Sequence, residues 1–261
     1  MRTEGERQEA IKDWNKKVDF YDDYRPDYPE ELIRAVIKKA NLTAKSKVLE
    51  IGAGSGKATA QFADFGFEMI CIEPGVDLAK KGNARFKSKN IEFIASRFED
   101  YSELPGYFDT IISAQAFHWV EQPIGFEKCA NTLKKCGCLA LFWHLDLSRD
   151  DTDLDQELVS ILDKYNGFVS CMPQEDYPER MESISSNITE SSLFQKPEII
   201  HFHLEKNFTA DEYYNYMLTG NLFFKTDEEK KICREELAQL AEKYSGIKRN
   251  FTYELYLTQK I

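Results

Sequence analysis

A glycine-rich turn flanked by acidic residues is the feature of this sequence best suited to ligand binding. The turn, Gly52-Ala53-Gly54-Ser55-Gly56, follows Glu50 at the end of an apolar run and precedes a segment with helical character. Glycine lets the backbone turn sharply and approach a ligand closely, and the helix N-terminus beyond the turn offers free N–H groups. A second acid, Glu73, ends the next apolar run, 21 residues after Gly52. A carboxylate at that place can accept both hydroxyl groups of a ribose, so the pattern predicts a nucleoside site.

Four interpretations of the glycine turn have to be distinguished here. A dinucleotide fingerprint needs glycine at the sixth position counted from Gly52, where this chain has Lys57. A P-loop ending in Gly56-Lys57 needs glycine in place of Ile51 and a hydroxyl residue in place of Ala58. Both fingerprints therefore fail. A G-x-G-x-G turn for another nucleoside and a plain turn between a strand and a helix stay open.

The elements around this turn alternate between strands and helices. Helices are predicted between the strands, and a parallel sheet covered by helices on both faces explains such alternation. In such sheets the ligand lies beyond the carboxyl ends of the strands, which is where Glu50 and Glu73 are expected. The predicted strands are Lys47–Ile51, Phe67–Ile72, Ile91–Ala95, Phe108–Ala114 and Cys138–Trp143, and the helices are Pro29–Ala40, Ala58–Asp64, Val76–Arg85 and Pro123–Leu133.

The second half of the chain follows a different pattern. Thr209 with Glu212 and Thr226 with Glu229 have the spacing of capping boxes, so each pair predicts the start of a helix. A helix is also predicted over Asp151–Asn166, an irregular stretch over 167–195, and strands over Glu198–Leu204 and Arg249–Leu257. We interpret the chain as one domain with a lid. Its expected parts are a capping segment (1–40), a cofactor-binding core (41–145), lid and substrate-side elements (146–195 and 209–245) and terminal strands (196–208 and 249–258).

The composition excludes several classes of partner. The 261 residues are 42% hydrophobic and 30% charged, with a formal net charge of -11. Phosphate contacts need lysine and arginine, so neither a nucleic acid nor an anionic membrane surface is an expected partner. The charged N-terminus and the lack of a long apolar run predict neither a secretory signal nor a membrane span. The six cysteines lack the spacing of a zinc site, so we expect free thiols, no metal and a cytoplasmic protein.

Four segments together resemble a known family. Val48–Gly56 and Ile72–Gly75 are similar to motifs of class I S-adenosylmethionine-dependent methyltransferases. Phe20–Pro29 and Gln115–Trp119 narrow the resemblance to the small-molecule branch, methyltransferase type 11, which includes trans-aconitate and ubiquinone-pathway methyltransferases. The resemblance covers roughly residues 18–145. It implies a Rossmann-like α/β fold, with a doubly wound, mostly parallel seven-stranded sheet and an α-helical lid. It also implies S-adenosyl-L-methionine as the cofactor, S-adenosyl-L-homocysteine as its product and a small-molecule acceptor.

The resemblance also implies roles for individual residues. Arg25 suits the methionine carboxylate of the cofactor, although it could equally pair at the surface with Asp22, Asp23 or Asp27. The family often has an acid where this chain has Ser96, so adenine recognition here would rest on backbone N–H groups. The implied cofactor contacts are Gly52, Ala53 and Gly54 (methionine backbone contacts), Glu50 (ammonium), Glu73 (ribose), Pro74, Ser96, Arg97 and Phe98 (adenine), Gln115 and Ala116 (sulfonium), and Tyr24 and Arg25 (closure from the N-terminal segment).

Methyl transfer needs a base only when the acceptor starts protonated, and the sequence offers histidines for that task. His118 follows the fourth predicted strand and is the first candidate, with packing beside Trp119 as its alternative. His144, after the fifth strand, is the second candidate. The expected substrate side comprises these histidines with Phe117, Trp119, Trp143 and Tyr213, and aromatic rings there could attract the sulfonium cation or could simply pack in the core. A catalytically silent cofactor-binding protein and a protein methyltransferase acting through a partner remain alternative functions.

Overall fold

A mostly parallel β-sheet organises the part of the chain that the computed structural model describes, namely residues 5, 24–102, 104–147, 152–165, 171–172, 177–219 and 224–261. The strand order is β3-β2-β1-β4-β5-β8-β7. Strands β1 to β5 are parallel, whereas β8 lies antiparallel between β5 and β7, and the short β6 pairs with the end of β5. The strands are β1 (Lys47–Ile51), β2 (Glu68–Glu73), β3 (Ile91–Ala95), β4 (Phe108–Ala114), β5 (Leu133–Leu147), β6 (Cys171–Met172), β7 (Glu198–Phe208) and β8 (Ile247–Gln259).

Helices cover both faces of this sheet. On one face, α1 buries Leu32, Ile33 and Val36 in a core that also receives α2, α3, α5, α7 and α8. On the other face, α4 and α6 pack over a second core around Ile51, Leu139 and Tyr256. The helices are α1 (Glu30–Lys39), α2 (Lys57–Ala63), α3 (Val76–Arg85), α4 (Ile124–Thr132), α5 (Asp153–Asp163), α6 (Tyr177–Glu190), α7 (Ala210–Leu218) and α8 (Asp227–Tyr244), with a 3-10 turn at Phe117–Trp119. The fold is therefore the doubly wound, mostly parallel architecture predicted from the sequence.

Most element boundaries agree with the predicted ones, and the largest difference among the strands is in β5. This strand begins at Leu133 rather than Cys138 and ends at Leu147 rather than Trp143. Its early start includes a register shift opposite Phe108 and Thr110 and a positive φ of 60° at Cys136. A bulge of this kind interrupts the alternation of buried and exposed residues, so the alternation of apolar and polar residues in the sequence could not reveal the full length of β5.

The prediction that residues 167–195 are irregular is wrong for most of its described part. Helix α6 spans Tyr177–Glu190 and includes Ser183, Ser185 and Ser186, whereas 166–170 and 173–176 lie outside the described residues. The helix has a narrow apolar stripe, in which Ile188 is fully buried and Ile184 partly buried against the second core. Packing of that stripe, not the weak helix propensity of serine, stabilises α6.

Both predicted capping boxes are present. The Thr209 hydroxyl accepts from the N–H of Glu212 while the Glu212 carboxylate accepts from the N–H of Thr209, and Thr226 and Glu229 repeat this arrangement. These reciprocal bonds satisfy N–H groups that a helix start otherwise leaves without partners. They fix where α7 and α8 begin, and α7 lies near the site described below.

The cysteines, the possible metal ligands and the helix lengths bear on further expectations from the sequence. Cys71, Cys129, Cys138 and Cys233 are buried free thiols, and Cys136 is an exposed one. In the described ranges, no group of three or more His, Cys, Asp or Glu side chains is arranged to hold a metal ion. None of the helices in this part of the chain combines the length and the apolar composition needed to cross a bilayer.

Candidate functional site

A cavity opens at the carboxyl ends of β1 to β4, beside the glycine turn. Its wall combines the turn itself, the segment before α1, residues at or after the ends of these four strands, and His144 within β5. The predicted site residues that line it are Arg25, Glu50, Gly52, Ala53, Gly54, Glu73, Pro74, Arg97, Phe98, Gln115, Ala116, Trp119 and His144. The topology therefore brings together residues that lie 119 positions apart, as Arg25 and His144 do.

The glycine turn requires glycine for both conformation and space. Gly52 has a φ of 69° and Gly56 a φ of 92°, which side-chain-bearing residues rarely adopt. A Cβ on Gly52 would lie 2.3 Å from the Cβ of Ala116, and one on Gly56 would lie 2.4 Å from the ring of Phe86. By contrast, a Cβ on Gly54 would meet nothing within 4 Å, although its φ is 61°. The turn is thus packed tightly against the residues that follow β4 and α3 and is open at Gly54.

The N–H groups of this turn are already used inside the protein. Gly52 and Ala53 both donate to the carbonyl oxygen of Ile72, at 2.8 and 3.2 Å. The N–H of Gly54 donates to Oε2 of Glu73 at 2.8 Å. A ligand that contacts the backbone of these three residues would therefore do so through carbonyl oxygens, which suit a positively charged donor.

Glu73 is a buried carboxylate at the end of β2. Its side chain is held in place because Oε2 accepts from Gly54 and Oε1 accepts from the N–H of Gly75 at 2.7 Å. Burial raises the pKa of Glu73 to about 7, and these two backbone bonds oppose the rise. Since each carboxylate oxygen has two lone pairs, each oxygen retains the capacity to accept one further hydrogen bond.

Glu50 is the second buried acid of the site, at the end of the neighbouring strand β1. Its Oε2 accepts from the hydroxyl of Thr59 at 2.6 Å and lies 3.9 Å from the sulfur of Cys71. Burial raises the pKa of Glu50 to about 8, the Thr59 hydrogen bond opposes the rise, and the charge of Glu73 adds to it. Two acids with raised pKa values in one cavity are typical of a functional site.

The segment of residues 24–28, here called the strap, closes the cavity from the N-terminal side. The side chain of Gln61 on α2 donates to the carbonyl oxygen of Tyr28 at 2.6 Å and accepts from its N–H at 3.1 Å. Lys57 forms an ion pair with Asp27 at 2.8 Å, and the Tyr253 hydroxyl donates to the carbonyl oxygen of Asp27 at 2.8 Å. These contacts fix the strap to α2 and β8.

Arg25 extends from the strap into the cavity. Its Nε donates to Oγ1 of Thr219 at 2.8 Å, just after α7, and its guanidinium carbon lies 5.6 Å from the ring centre of Tyr216. Nη1 lies 3.5 Å from Nε2 of His144. Of the surface partners considered for Arg25, Asp22 and Asp23 lie outside the described residues, and Asp27 pairs with Lys57.

His144 lies in the cavity wall beside two hydrogen-bond donors. The amide nitrogen of Gln115 is 2.6 Å from Nδ1 and also donates to the His144 carbonyl oxygen at 3.1 Å. Burial lowers the pKa of His144 to about 3, and the charges of Arg25 and Lys57 lower it further. The imidazole is therefore neutral at physiological pH and can serve as a fixed hydrogen-bonding group.

Six predicted site residues lie outside the cavity wall. The ring of His118 is exposed, and its Nδ1 accepts from Nε1 of Trp143 at 3.2 Å. Phe117, Trp143 and Tyr213 are buried in the two cores, and Tyr24 packs against the first of them. The Ser96 hydroxyl donates to the carbonyl oxygen of Arg97 at 2.8 Å. No histidine other than His144 lines this cavity in the described structure, so the base role predicted for His118 stays a prediction that its position does not favour.

Several residues of the cavity wall were not singled out from the sequence. They are Pro26, Tyr28, Ile51, Ser55, Lys57, Ala58, Ile72, Leu78, Glu99, Ala114 and Val120. Pro26 and Tyr28 belong to the quoted strap motif, and Lys57 directly follows Gly56, so adjacency was the available signal. Glu99 and Val120 likewise directly follow the predicted site residues Phe98 and Trp119. Leu78 of α3 had no such signal because only the fold brings it to the cavity.

Comparison with known proteins gives a consistent result. Residues 48–137 match the family model of a methyltransferase domain. A protein of Saccharomyces cerevisiae, assigned as a probable S-adenosylmethionine-dependent methyltransferase, is 34% identical over 130 residues, which are 48% of this chain and 44% of that relative. A methyltransferase-like protein of Schizosaccharomyces pombe is 26% identical over 88% of this chain and 86% of its own length. The chain thus spans about half of the first relative and most of the second.

Solved structures share the same architecture. A candidate type II methyltransferase from Anaeromyxobacter dehalogenans superimposes with a TM-score of 0.60 at 20% identity, over 90% of this chain and 97% of its own. The phosphoethanolamine N-methyltransferase 2 of Haemonchus contortus, solved with S-adenosyl-L-methionine, gives a TM-score of 0.52 at 14% identity over 93% of this chain and 56% of its own. At these identities the likeness establishes the fold.

Proposed function

We propose that this chain, whose residues 48–137 match the model of a methyltransferase domain, is a class I S-adenosylmethionine-dependent methyltransferase that transfers a methyl group from S-adenosyl-L-methionine to a small-molecule acceptor. The observation that carries the proposal is the pair of buried acids, Glu50 and Glu73, that flank the glycine turn in one cavity. Glu73 lies at the place where ribose is recognised in sheets of this kind, and Glu50 lies one strand away.

The residues of the cavity fit each part of the cofactor. Glu73 would accept the two ribose hydroxyls, one on each oxygen. Glu50 and the carbonyl oxygens of the turn would accept the ammonium group, and Arg25 would bind the carboxylate. The adenine would lie among apolar side chains, which in this wall are supplied by Pro74, Leu78, Phe98 and Val120. Gln115, Ala116 and Trp119 would lie on the side of the sulfonium.

When bound, the cofactor supplies an activated methyl group, and the protein contributes orientation and exclusion of water. Correct positioning alone can account for about 7–11 kcal/mol of a reaction barrier. The neutral His144, held by Gln115, can orient an acceptor by a hydrogen bond, but its lowered pKa makes it a weak base. This geometry favours acceptors that are already nucleophilic over acceptors that must lose a proton to the enzyme.

The elements around the cavity favour a small acceptor. Access from the strap side is restricted by the contacts of Arg25 with Thr219 after α7, which supports a lid role for the 209–245 region. On the opposite face, Arg180 of α6 pairs with buried Glu254 and lies 5.5 Å from the ring centre of Trp143, next to His118. No described residue of α6 lines the cavity, and Trp143 and His118 lie outside its wall, so these contacts support no lid role for α6. The net charge of -11 disfavours a nucleic acid, and the free thiols suit a reducing compartment such as the cytoplasm.

Two experiments test the proposal in sequence. Calorimetric titration with S-adenosyl-L-homocysteine measures whether the cofactor binds. Incubation with methyl-labelled S-adenosyl-L-methionine and a panel of metabolites then measures transfer, with Glu73→Ala as the control. Transfer of label to a metabolite by the parent protein supports the proposal. Cofactor binding with label transferred only to a protein, or not at all, would favour a protein methyltransferase or a silent cofactor-binding protein.

A further inference from the structure

The carboxylate of Glu50 is held from one side. Both of its side-chain contacts, with the Thr59 hydroxyl and with the Cys71 sulfur, are made by Oε2. Its other oxygen, Oε1, has no hydrogen bond to the described part of the chain, and Glu50 belongs to the cavity wall. One oxygen is therefore anchored inside the protein, and the other is left for a ligand.

The anchoring hydroxyl belongs to a residue that packing alone does not explain. Thr59 lies in the first turn of α2, directly behind the glycine turn, and its side chain is fully buried. A valine would fill the same volume without the cost of burying a hydroxyl, and threonine has no advantage over it in a helix. The distinguishing contribution of threonine at this position is the 2.6 Å hydrogen bond to Glu50.

We propose that Thr59 is a positioning residue for cofactor binding. Its hydroxyl holds Oε2 of Glu50, so that Oε1 is presented to the ammonium group of the cofactor in its ionised form. This inference rests on the proposed function. It assigns to Thr59 a role that acts through Glu50, without contact between Thr59 and the cofactor.

The electrostatic surroundings of Glu50 show why such support is needed. Strand β2 contributes the acid Glu73, whose charge disfavours a charged Glu50, and the thiol of Cys71, whose long 3.9 Å contact with Oε2 favours it. The positively charged side chains of the same cavity wall are Lys57 of α2, Arg25 of the strap and Arg97 after β3. The wall also contains the polar side chains of Ser55, Gln115 and His144 and a third acid, Glu99. Hydrogen bonding to the charged form of a carboxylate stabilises that form, and the Thr59 hydroxyl does so at short distance.

The test compares Thr59→Val, which keeps the shape and removes the hydroxyl, with Thr59→Ser, which keeps the hydroxyl. Binding of S-adenosyl-L-homocysteine is measured by calorimetry at pH 7.0 and 9.5. We expect Thr59→Val to bind about tenfold more weakly than the parent at pH 7.0, because losing a hydrogen bond to a charged group raises a pKa by about one unit or more. At pH 9.5 Glu50 ionises in both proteins, so the difference should shrink to about twofold. Thr59→Ser should follow the parent at both values.

The matched control is Thr110→Val on β4. Thr110 is also fully buried, and its hydroxyl has no hydrogen-bond partner in the described residues. This variant should bind like the parent at both pH values. The ligand and Glu73 also titrate between the two pH values, but they do so in every variant. The ratio of dissociation constants between variants at one pH therefore isolates the contribution of the Thr59 hydroxyl.

Equal affinities of Thr59→Val and the parent at pH 7.0 would overturn the inference and leave the proposed function intact. A loss of the same size at both pH values would also overturn it, because a packing defect does not disappear when Glu50 ionises. If Thr59→Val does not fold, Thr59→Ala is measured in its place. Failure of both to fold would make the hydroxyl structural and contradict the positioning role. Absence of binding by the parent protein would instead overturn the proposed function itself.

Discussion

Glu73 is the residue whose loss should affect cofactor binding most directly. Its carboxylate is buried and already oriented by Gly54 and Gly75, so ribose hydroxyls would meet an acceptor that does not have to reorganise. Hydrogen bonds to a charged group contribute about 1.5–3 kcal/mol each. We therefore expect Glu73→Ala to weaken S-adenosyl-L-homocysteine binding by at least about tenfold in calorimetric titration, with Glu73→Gln in between.

The control for this prediction is Glu92→Ala, which removes an exposed acid from the neighbouring strand β3. It should leave the affinity unchanged. Both substitutions at Glu73 should leave a folded protein, because the residue lies at the ligand end of its strand. An unchanged affinity in folded Glu73→Ala would remove the ribose assignment.

The two histidines near the site should differ in their effects on turnover. His118 is exposed and lies outside the cavity wall, so we expect His118→Ala to keep turnover within about threefold of the parent, whereas loss of a general base costs 10²–10⁴-fold. His144 is neutral over the physiological range, so any inflection of the pH–rate profile between pH 6 and 8 should come from the acids Glu73 and Glu50 and should persist in His118→Ala. A profile that rises through pH 6.5 and is flattened by His118→Ala would restore the base role of His118.

For single residues, a role could be predicted from the sequence where the residues belong to one strand–turn–helix unit and their spacing indicates the chemistry. The roles considered for Glu50, Glu73 and the glycines depended on neighbours within about 25 residues. His118 shows the limit of such reasoning, because the 3-10 turn over Phe117–Trp119 directs His118 outwards and leaves Trp119 in the cavity wall. The rotation of a single short turn cannot be derived from residue order.

Among the elements, those built on a clear apolar period were predictable and those held by tertiary contacts were not. Strands β1, β3 and β4 have their predicted bounds because each is a buried run between turn residues. Helix α6 was missed because only a narrow stripe around Ile184 and Ile188 is apolar, and the sheet that buries it is assembled from distant parts of the chain. The antiparallel position of β8 between β5 and β7 likewise had no local signal.

The β1–α2 turn is the element that should tolerate substitution least. Gly52→Ala places a Cβ 2.3 Å from Ala116 and imposes a φ of 69° on alanine. The left-handed conformation costs about 1–2 kcal/mol and overpacking about 1–3 kcal/mol. We therefore expect urea denaturation to give Gly52→Ala a free energy of unfolding about 2–5 kcal/mol below that of the parent.

A double variant separates these two costs. Ala116→Gly removes the atom with which the new Cβ collides. In the double variant Gly52→Ala, Ala116→Gly, the free energy of unfolding lost through overpacking should therefore be recovered, whereas the loss caused by the left-handed backbone should remain. As a control, Gly106→Ala changes a glycine with a similar φ of 60° but with nothing within 4 Å of its Cβ. It should lose only about 1–2 kcal/mol. Equal losses in both single variants would contradict a steric requirement at Gly52.

For the whole molecule, the buried acids connect the site to stability. Glu50 and Glu73 have pKa values of about 8 and 7 in the folded protein, well above the ordinary value of 4.5. At a pH between 4.5 and these folded-state pKa values, the folded protein keeps protons on the two acids that the unfolded protein has released. The stability that they contribute is fully present below the unfolded pKa and is lost as the pH rises through the folded values. Burying the acids of the site therefore makes the protein without cofactor less stable in mildly alkaline solution.

This linkage predicts the direction in which stability changes between pH 6.5 and 8.0. Below pH 6.5 the lowered pKa of His144 makes the stability rise with pH. Above pH 8.0 the raised pKa of buried thiols, such as Cys129, makes the stability fall with pH. Within this window we expect the free energy of unfolding of the parent, measured by urea denaturation, to fall by about 1–3 kcal/mol. The double variant Glu50→Gln, Glu73→Gln cannot release these protons, so its stability should change by less than half as much. A parent whose stability stays constant or rises across the window would show that the two carboxyls are already ionised in the folded protein.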